Sequence, residues 1–178
     1  NRRMNETLEK IGQTLFKHYF ITNPDRKNWK TKAISELVTI KYGKNLPTSK
    51  LTKFGYPVFG GNGSIGFYDD FLYAEPQVLV SCRGEASGKV NFSLPKSFIT
   101  NNSLVLEIKS NLITHEWLKY YSLSRIDGYK EYISGSAQPQ ITVESLSKCK
   151  IAVPDKIWIA DYSETLSPIE SQLLILNN

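Results

Sequence analysis

Apolar side chains in the first twenty residues fall at Met4, Leu8, Ile11 and Leu15, the 4-3-4 spacing of a coiled-coil seam, with Asn5, Glu6, Glu9, Lys10, Gln13 and Lys17 on the polar side. This period predicts a helix whose narrow apolar stripe meets another helix. A residue before proline is pushed out of helical space, so the helix ends by Asn23-Pro24. The pattern returns at the other end, where Ile169, Leu173 and Leu176 repeat at 4-3 spacing and Tyr162 and Leu166 continue it backwards. Ser167-Pro168-Ile169-Glu170 reads as a capping box with proline at the first helical position, so Pro168 is expected to kink or restart this second helix. Neither helix shows an outer boundary, and the first reads as cut from a longer one. Short helices of this kind are marginal alone in water and need a surface to pack on.

Between the helices the period changes. Short alternating or apolar runs predict strands near 36–40, 56–59, 65–68, 77–82, 88–93 and 103–109, with Ile151-Ala152-Val153-Pro154 as a last short strand. Thr114 is placed to cap a helix that begins at His115 and carries Trp117, Leu118 and Tyr121 on one face. Gly128 and Gly135 interrupt the chain beyond this helix. The expected fold class is α+β: a globular body with a mixed or antiparallel sheet over 25–154, flanked by helices at 1–24 and 155–178.

At 178 residues the chain is long enough for one domain with a real core. No apolar run approaches a membrane span, and no basic-then-apolar leader is present in these residues. Two cysteines, Cys82 and Cys149, imply no disulfide framework and fit a reducing cytoplasm. The net charge of +5 is unevenly spread. Residues 26–53 carry eight basic side chains (Arg26, Lys27, Lys30, Lys32, Lys41, Lys44, Lys50 and Lys53) against one acid, Glu36, whereas 155–178 carry four acids and one lysine. Such asymmetry suits a surface facing nucleic acid or another polyanion, and it equally suits a solvated basic stretch.

The chemistry motifs are thin. Gly61, Gly63 and Gly66 have the G-x-G-x-x-G spacing of a dinucleotide fingerprint, but that motif needs a helix directly afterwards to hold the phosphates. Here Phe67-Tyr68-Asp69-Asp70-Phe71-Leu72-Tyr73 comes next and reads as a hairpin, so the glycines are expected to bring backbone close to something else, with Gly61 or Gly63 at positive φ. His18 and His115 with two scattered cysteines make no zinc spacing. Asn23-Pro24-Asp25 opens like an amino-methyltransferase tetrad but lacks its aromatic, and reads as a helix-ending turn. Glu107-Ile108-Lys109 has the E-x-K shape of a nuclease site, with Asp69 or Asp70 upstream; such triplets also arise by chance in an alternating strand.

Several phrases in order carry a family resemblance. "LEKIGQTLFKHYF" (8–20), "ISELVTIKYGKNL" (34–46), "YPVFGGNGSIGF" (56–67), "VLVSCRGEASGKV" (78–90), "FITNNSLVLEI" (98–108) and "SGSAQPQITVESLSKCKIAVP" (134–154) together resemble one half of the DNA-specificity subunit of a type I restriction-modification system. The resemblance implies a target recognition domain over 25–154 between conserved spacer helices that pair as an antiparallel coiled coil. It implies that each recognition domain reads half of a bipartite DNA site and does no chemistry. Partner methyltransferase subunits would use S-adenosylmethionine to modify adenine, and an ATP- and Mg-dependent restriction subunit would cut. A complete family member carries two recognition domains and this chain carries one, so it reads as an excised half or as a half-length subunit that pairs with itself.

Phosphate contacts are expected from Lys41, Lys44, Lys50 and Lys53, and base or groove contacts from Asn62, Ser64, Arg83 and Lys89 beside the glycine turns. Arg83, Asn101 and Gln138 also sit where a loop would be held by hydrogen bonds. Leu8, Ile11, Leu15, Ile169, Leu173 and Leu176 are the expected helix and partner contacts. No catalytic or metal-ligating residue is assigned. Two rival readings stay open on sequence grounds: a nuclease built on Glu107 and Lys109, and a protein-interaction module whose basic flank is incidental.

Overall fold

The structure is a computed structural model that describes residues 2–125, 127–135 and 138–177. In chain order it forms α1 (Arg2–Phe16), β1 (Lys30–Ala33), α2 (Ile34–Leu37), β2 (Val38–Tyr42), β3 (Tyr56–Gly60), β4 (Gly63–Tyr68), β5 (Val78–Ser81) and β6 (Val90–Phe92). It continues through β7 (Phe98–Ile99), β8 (Ser103–Ile108), α3 (His115–Ser124), α4 (Val143–Ser147), β9 (Lys150–Val153) and α5 (Lys156–Asn177). The strands make an antiparallel four-stranded sheet, β2-β8-β5-β6, a three-stranded sheet, β4-β3-β7, and the antiparallel pair β1-β9. In the three-stranded sheet β3 pairs antiparallel with β4 and parallel with β7. The chain is thus α+β with mainly antiparallel sheets.

The two larger sheets meet through Phe59, Leu79, Ile99 and Val105, a small buried cluster that holds β3 and β7 against the middle of the four-stranded sheet. The other face of that sheet joins a larger core with Trp117, Leu118 and Tyr120 of α3, and with Phe16, Phe20, Ile159, Tyr162 and Leu166 from the chain ends. The terminal helices therefore share the core of the body. Phe16 meets Tyr162 edge-on at 5.9 Å between ring centroids, Tyr19 meets Trp158 at 6.5 Å, and the Tyr19 hydroxyl lies 3.1 Å from Thr165 Oγ1.

Three local expectations change. The predicted strand at 36–40 begins with a helical turn, α2, because the Glu36 carboxylate reaches back to the Ala33 N–H at 2.9 Å and takes Lys32 at 3.0 Å; extended backbone starts at Val38. The α1 stripe splits: Leu8 and Leu15 are half-buried, but Met4 and Ile11 are exposed, and the fully covered side is Gly12, Phe16 and Phe20. Packing on α3 as well as α5 rotates the buried face toward the aromatics, and a Cβ on Gly12 would lie 2.3 Å from the Tyr120 ring. Finally, α5 runs through Pro168 without restarting. Proline removes one N–H, but the Glu164 carbonyl it orphans lies on an exposed residue that water can reach, while Leu166 and Leu173 stay buried on the opposite side. Glu170 does not cap; it binds Lys119 at 3.0 Å and the Tyr120 hydroxyl at 2.7 Å.

Other readings agree with the fold. Thr114 Oγ1 accepts the Trp117 N–H at 3.2 Å and starts α3. Asn23 ends the first helical segment, its Oδ1 accepting from Asp25 N–H at 2.9 Å and its Nδ2 donating to the Tyr19 carbonyl at 2.8 Å. Cys82 and Cys149 are free and buried, and burial holds both thiols above the usual range. The thiolate is the reactive form, so both should resist a thiol-titrating reagent in the native protein and react together on unfolding in urea. Rapid modification of either under native conditions would contradict their place in the core.

Candidate nucleic-acid interface

The glycine phrase forms the β3–β4 hairpin. Gly60 pairs with Gly63, leaving Gly61 and Asn62 as a two-residue tip, and no helix comes after it, which removes the dinucleotide reading. Gly63 takes φ +104° and Gly66 φ +148°, conformations that a Cβ disfavours, whereas Gly61 does not take a positive φ. The tip is tied down on both sides. The Gly61 carbonyl accepts from the Ser81 hydroxyl and from Asn91 Nδ2 at 3.1 Å, and the Gly60 carbonyl accepts from Ser103 Oγ at 3.1 Å. Ser81 and Ser103 are fully buried at the ends of apolar strands. Sequence reasoning passed over these anchors; the one signal was a hydroxyl at one end of each apolar run, last in "VLVS" and first in "SLVLEI".

Asn62 and Ser64 are exposed at this tip. Lys89 reaches it from the β5–β6 connection, its ammonium donating to Asn62 Oδ1 at 2.7 Å. The Lys89 backbone is held at both ends, with its N–H on the Ala86 carbonyl and its carbonyl on the Ser81 N–H, each at 2.9 Å. Arg83 is exposed at the start of the same connection. Its backbone pairs with Gln140, and the neighbouring Ser87 hydroxyl and Gly84 N–H both donate to the Pro139 carbonyl, at 3.0 and 3.2 Å. The main chain of this turn thus holds the 138–141 segment while the Arg83 side chain stays outside. Asn62 and Lys89 come together, Ser64 lies two residues further along the hairpin, and Arg83 lies on the same connection as Lys89.

The lysines divide. Lys44, Lys50 and Lys53 are exposed on the segment bracketing the three-stranded sheet, which bridges Thr100 through Lys44 and Phe67 through Thr52. Among the described residues none of the three forms an ion pair. Lys41 differs, because its ammonium sits 2.7 Å from Glu107 Oε2. The other Glu107 oxygen accepts the Tyr73 hydroxyl at 2.8 Å, and burial, together with that bond to the carboxylate, pushes the Tyr73 hydroxyl well above its ordinary range and keeps it a donor. The E-x-K pattern therefore has its glutamate held by a lysine and a tyrosine. Asp70 accepts the Phe71 N–H at 2.7 Å, a local turn contact. Among the described residues no group of three or more histidines, cysteines, aspartates and glutamates is arranged to hold a metal.

A groove of about 1360 Å³ runs between the 73–77 and 93–96 segments, α3 and the terminal helices. Glu9, Glu75, Glu107, Glu116 and Glu170 line it, and among the described residues its lysines are Lys96 and Lys119. That sign repels a phosphate backbone. The 44–53 segment and the hairpin tip, by contrast, expose lysine and polar side chains.

The type I restriction modification DNA specificity domain family matches residues 26–171. The chain is 26% identical over 144 residues to the type I restriction enzyme EcoprrI specificity subunit of Escherichia coli, an alignment that covers 76% of this chain and 35% of that protein. Among solved structures it is similar to the type I restriction-modification S subunit from M. genitalium, with TM-score 0.61 and 21% identity over 79% of this chain and 38% of that one. It is also similar to the HsdS subunit from Thermoanaerobacter tengcongensis, with TM-score 0.56 and 19% identity over 98% of this chain and 46% of that one. The chain spans less than half the length of each. At these identities the structural likeness establishes the fold, and the family match stands beside it. Among the described residues no helix is long and apolar enough to cross a membrane.

Proposed function

The chain belongs to the type I restriction modification DNA specificity domain family, and from that premise we propose that it reads one half of a bipartite site in duplex DNA and directs partner subunits to it. The observation that carries the reading is the hairpin tip: exposed polar side chains on a turn whose carbonyls are anchored by buried serines. A base-reading group has to be held in place before DNA arrives, and a two-residue turn clamped from below does that. Asn62, Ser64, Arg83 and Lys89 are the base or groove contacts; Lys44, Lys50 and Lys53 are the phosphate contacts, with Lys41 secondary because Glu107 already neutralises it.

In this reading residues 25–154 act as the recognition domain, and the terminal helices pair as an antiparallel coiled coil that sets spacing. Supporting the antiparallel sense, Tyr19 from the end of the first helical segment meets Trp158 near the start of α5, while Glu9 lines the same groove as Glu170 and Leu173 near its end. Leu8, Leu15, Ile169, Leu173 and Leu176 are the helix contacts, and Ile11, which is exposed, is left to meet a second recognition half, a second copy of the chain or a methyltransferase subunit. The chain itself is non-catalytic and works in the cytoplasm. Adenine methylation with S-adenosylmethionine, and ATP- and Mg-dependent cleavage, belong to the partner methyltransferase and restriction subunits.

Duplex binding should weaken steeply with salt, because lysines displace counterions from phosphates. Alanine at Lys44, Lys50 or Lys53 is expected to flatten the log–log slope by roughly 0.9 per contact. Alanine at Lys41 should change it less, since that charge is already paired. Fluorescence anisotropy on a labelled duplex over a salt series measures this, with the methyltransferase present to raise affinity. Binding that ignores salt would remove DNA from the proposal, and a slope unmoved by the triple change would leave these lysines as solvated surface.

A further inference from the structure

We propose that Asn62 and Lys89 act as one unit that reads a guanine in the major groove; this rests on the DNA-recognition reading above. The Lys89 ammonium has only donors, so the Asn62 side chain must turn its oxygen toward it, and the 2.7 Å contact fixes that choice. The consequence lies on the other side of the amide. With Oδ1 occupied, Asn62 presents its Nδ2 hydrogens outward, and Lys89 keeps two further N–H donors. The pair therefore offers up to four N–H donors against one remaining Oδ1 lone pair, which lies beside the ammonium charge.

That one-sided offer selects a base. An unpaired asparagine reads adenine by accepting from N6 and donating to N7; here that oxygen already accepts from Lys89, and the adenine N6 donor would be brought against an ammonium that can only donate. Guanine presents N7 and O6, two adjacent acceptors on a single base edge, and no other base does so in the major groove. Thymine offers one acceptor beside a methyl group, and cytosine offers a donor. In the minor groove a donor-rich pair would favour A·T, whereas the paired N7 and O6 acceptors of guanine are presented only in the major groove, which at about 12 Å is twice as wide as the minor groove at about 6 Å.

The pair is also built to hold its geometry. Asn62 sits on the turn whose Gly61 carbonyl is held by Ser81 and Asn91, and Lys89 is bracketed by backbone hydrogen bonds to Ala86 and Ser81. Ser81 is common to both supports, so the two donors move with one buried residue.

The test uses the complete subunit with its methyltransferase. A methylation map first gives the half-site that this recognition domain reads, and equilibrium binding then compares duplexes altered at each position. The expected result is one guanine whose replacement by adenine lowers affinity roughly 5- to 150-fold. Replacing that guanine by 7-deazaguanine, which lacks the N7 acceptor, should weaken binding, and inosine, which keeps both acceptors, should not. Asn62→Asp and Lys89→Met should each erase discrimination at that position and at no other, with thermal melts like the parent. A half-site with no guanine overturns the inference. So does inosine sensitivity, or variants that melt normally and keep every preference. Absence of any sequence-specific methylation or binding would instead overturn the recognition reading itself.

Discussion

Replacing Gly128 with alanine is expected to lower stability by about 3 kcal/mol, combining a left-handed backbone cost of roughly 1–2 kcal/mol with roughly 1–3 kcal/mol of overpacking. Gly128 sits at φ +58°, and a Cβ there would lie 2.1 Å from the Gly88 carbonyl oxygen. Gly88, at φ +86°, faces back with its own missing Cβ 2.7 Å from the Lys130 nitrogen. Two glycines thus let two loops touch backbone to backbone, with the Tyr129 N–H donating to the Gly88 carbonyl at 2.8 Å and the Tyr129 ring fully buried. Neither side is a flexible side chain that can move aside. The melting temperature should fall by roughly 6–12 °C for a chain of this size. Lys89 is the next residue after Gly88, so at temperatures where the variant is still folded, discrimination at the base proposed for Asn62 and Lys89 should weaken as well. A melting temperature within a degree or two of the parent would show that the loops are not packed as described.

The second large effect is expected at the joint between the first helix and the body. Gly12 lies under the Tyr120 ring, with a built Cβ 2.3 Å from both Cζ and the hydroxyl oxygen. Tyr120 is fully buried, its hydroxyl bonds Glu170 at 2.7 Å, and Lys119 adds bonds of 3.0 and 3.2 Å to the same carboxylate. Gly12→Val would drive α1 off this cluster or break the Tyr120–Glu170 bond, at about 3 kcal/mol for overpacking and a lost hydrogen bond to a charged group. Tyr120→Ala should be destabilising alone, yet it removes the obstacle. The double variant should therefore be more stable than the sum of the two losses, with a coupling of about 1–3 kcal/mol in urea denaturation. Strict additivity would mean that Gly12 is not there for Tyr120.

Much of the middle of the chain was legible because its signals are local. Strand period, the Thr114 cap and the turn at Asn23-Pro24 each depend on neighbours within a few residues. The glycine phrase was legible in a weaker sense. The absence of a helix former after Gly66 ruled out a phosphate loop and left a hairpin. The first helix was legible as a helix and misread as to its buried face, because a heptad count assumes one partner and α1 packs against α5 and α3 together. Gly12 reads as a weak point in an isolated helix, and only Tyr120 gives it a purpose. Pro168 was read as a helix start because its usual place is the first turn; here burial of Leu166 and Leu173 outweighs one missing hydrogen bond.

The candidate site shows the same division. By itself the sequence determined the class of the molecule: an α+β body between terminal helices, a lysine-rich flank, a polar glycine hairpin and an ordered set of phrases shared with a DNA-specificity family. These properties are carried by residue type and order, and they survive without coordinates. Tertiary structure alone decided which charges are available and which polar groups face outward. Lys41 and Glu107 are 66 residues apart and neutralise each other only because β2 and β8 pair side by side. Asn62 and Lys89 are 27 residues apart and meet only because Ser81 and Asn91 fasten the hairpin to the edge of the four-stranded sheet. Hydrogen-bond partners are chosen by distances of about 3 Å in the folded chain, and a linear order of residues contains no such distances until the sheets have stacked.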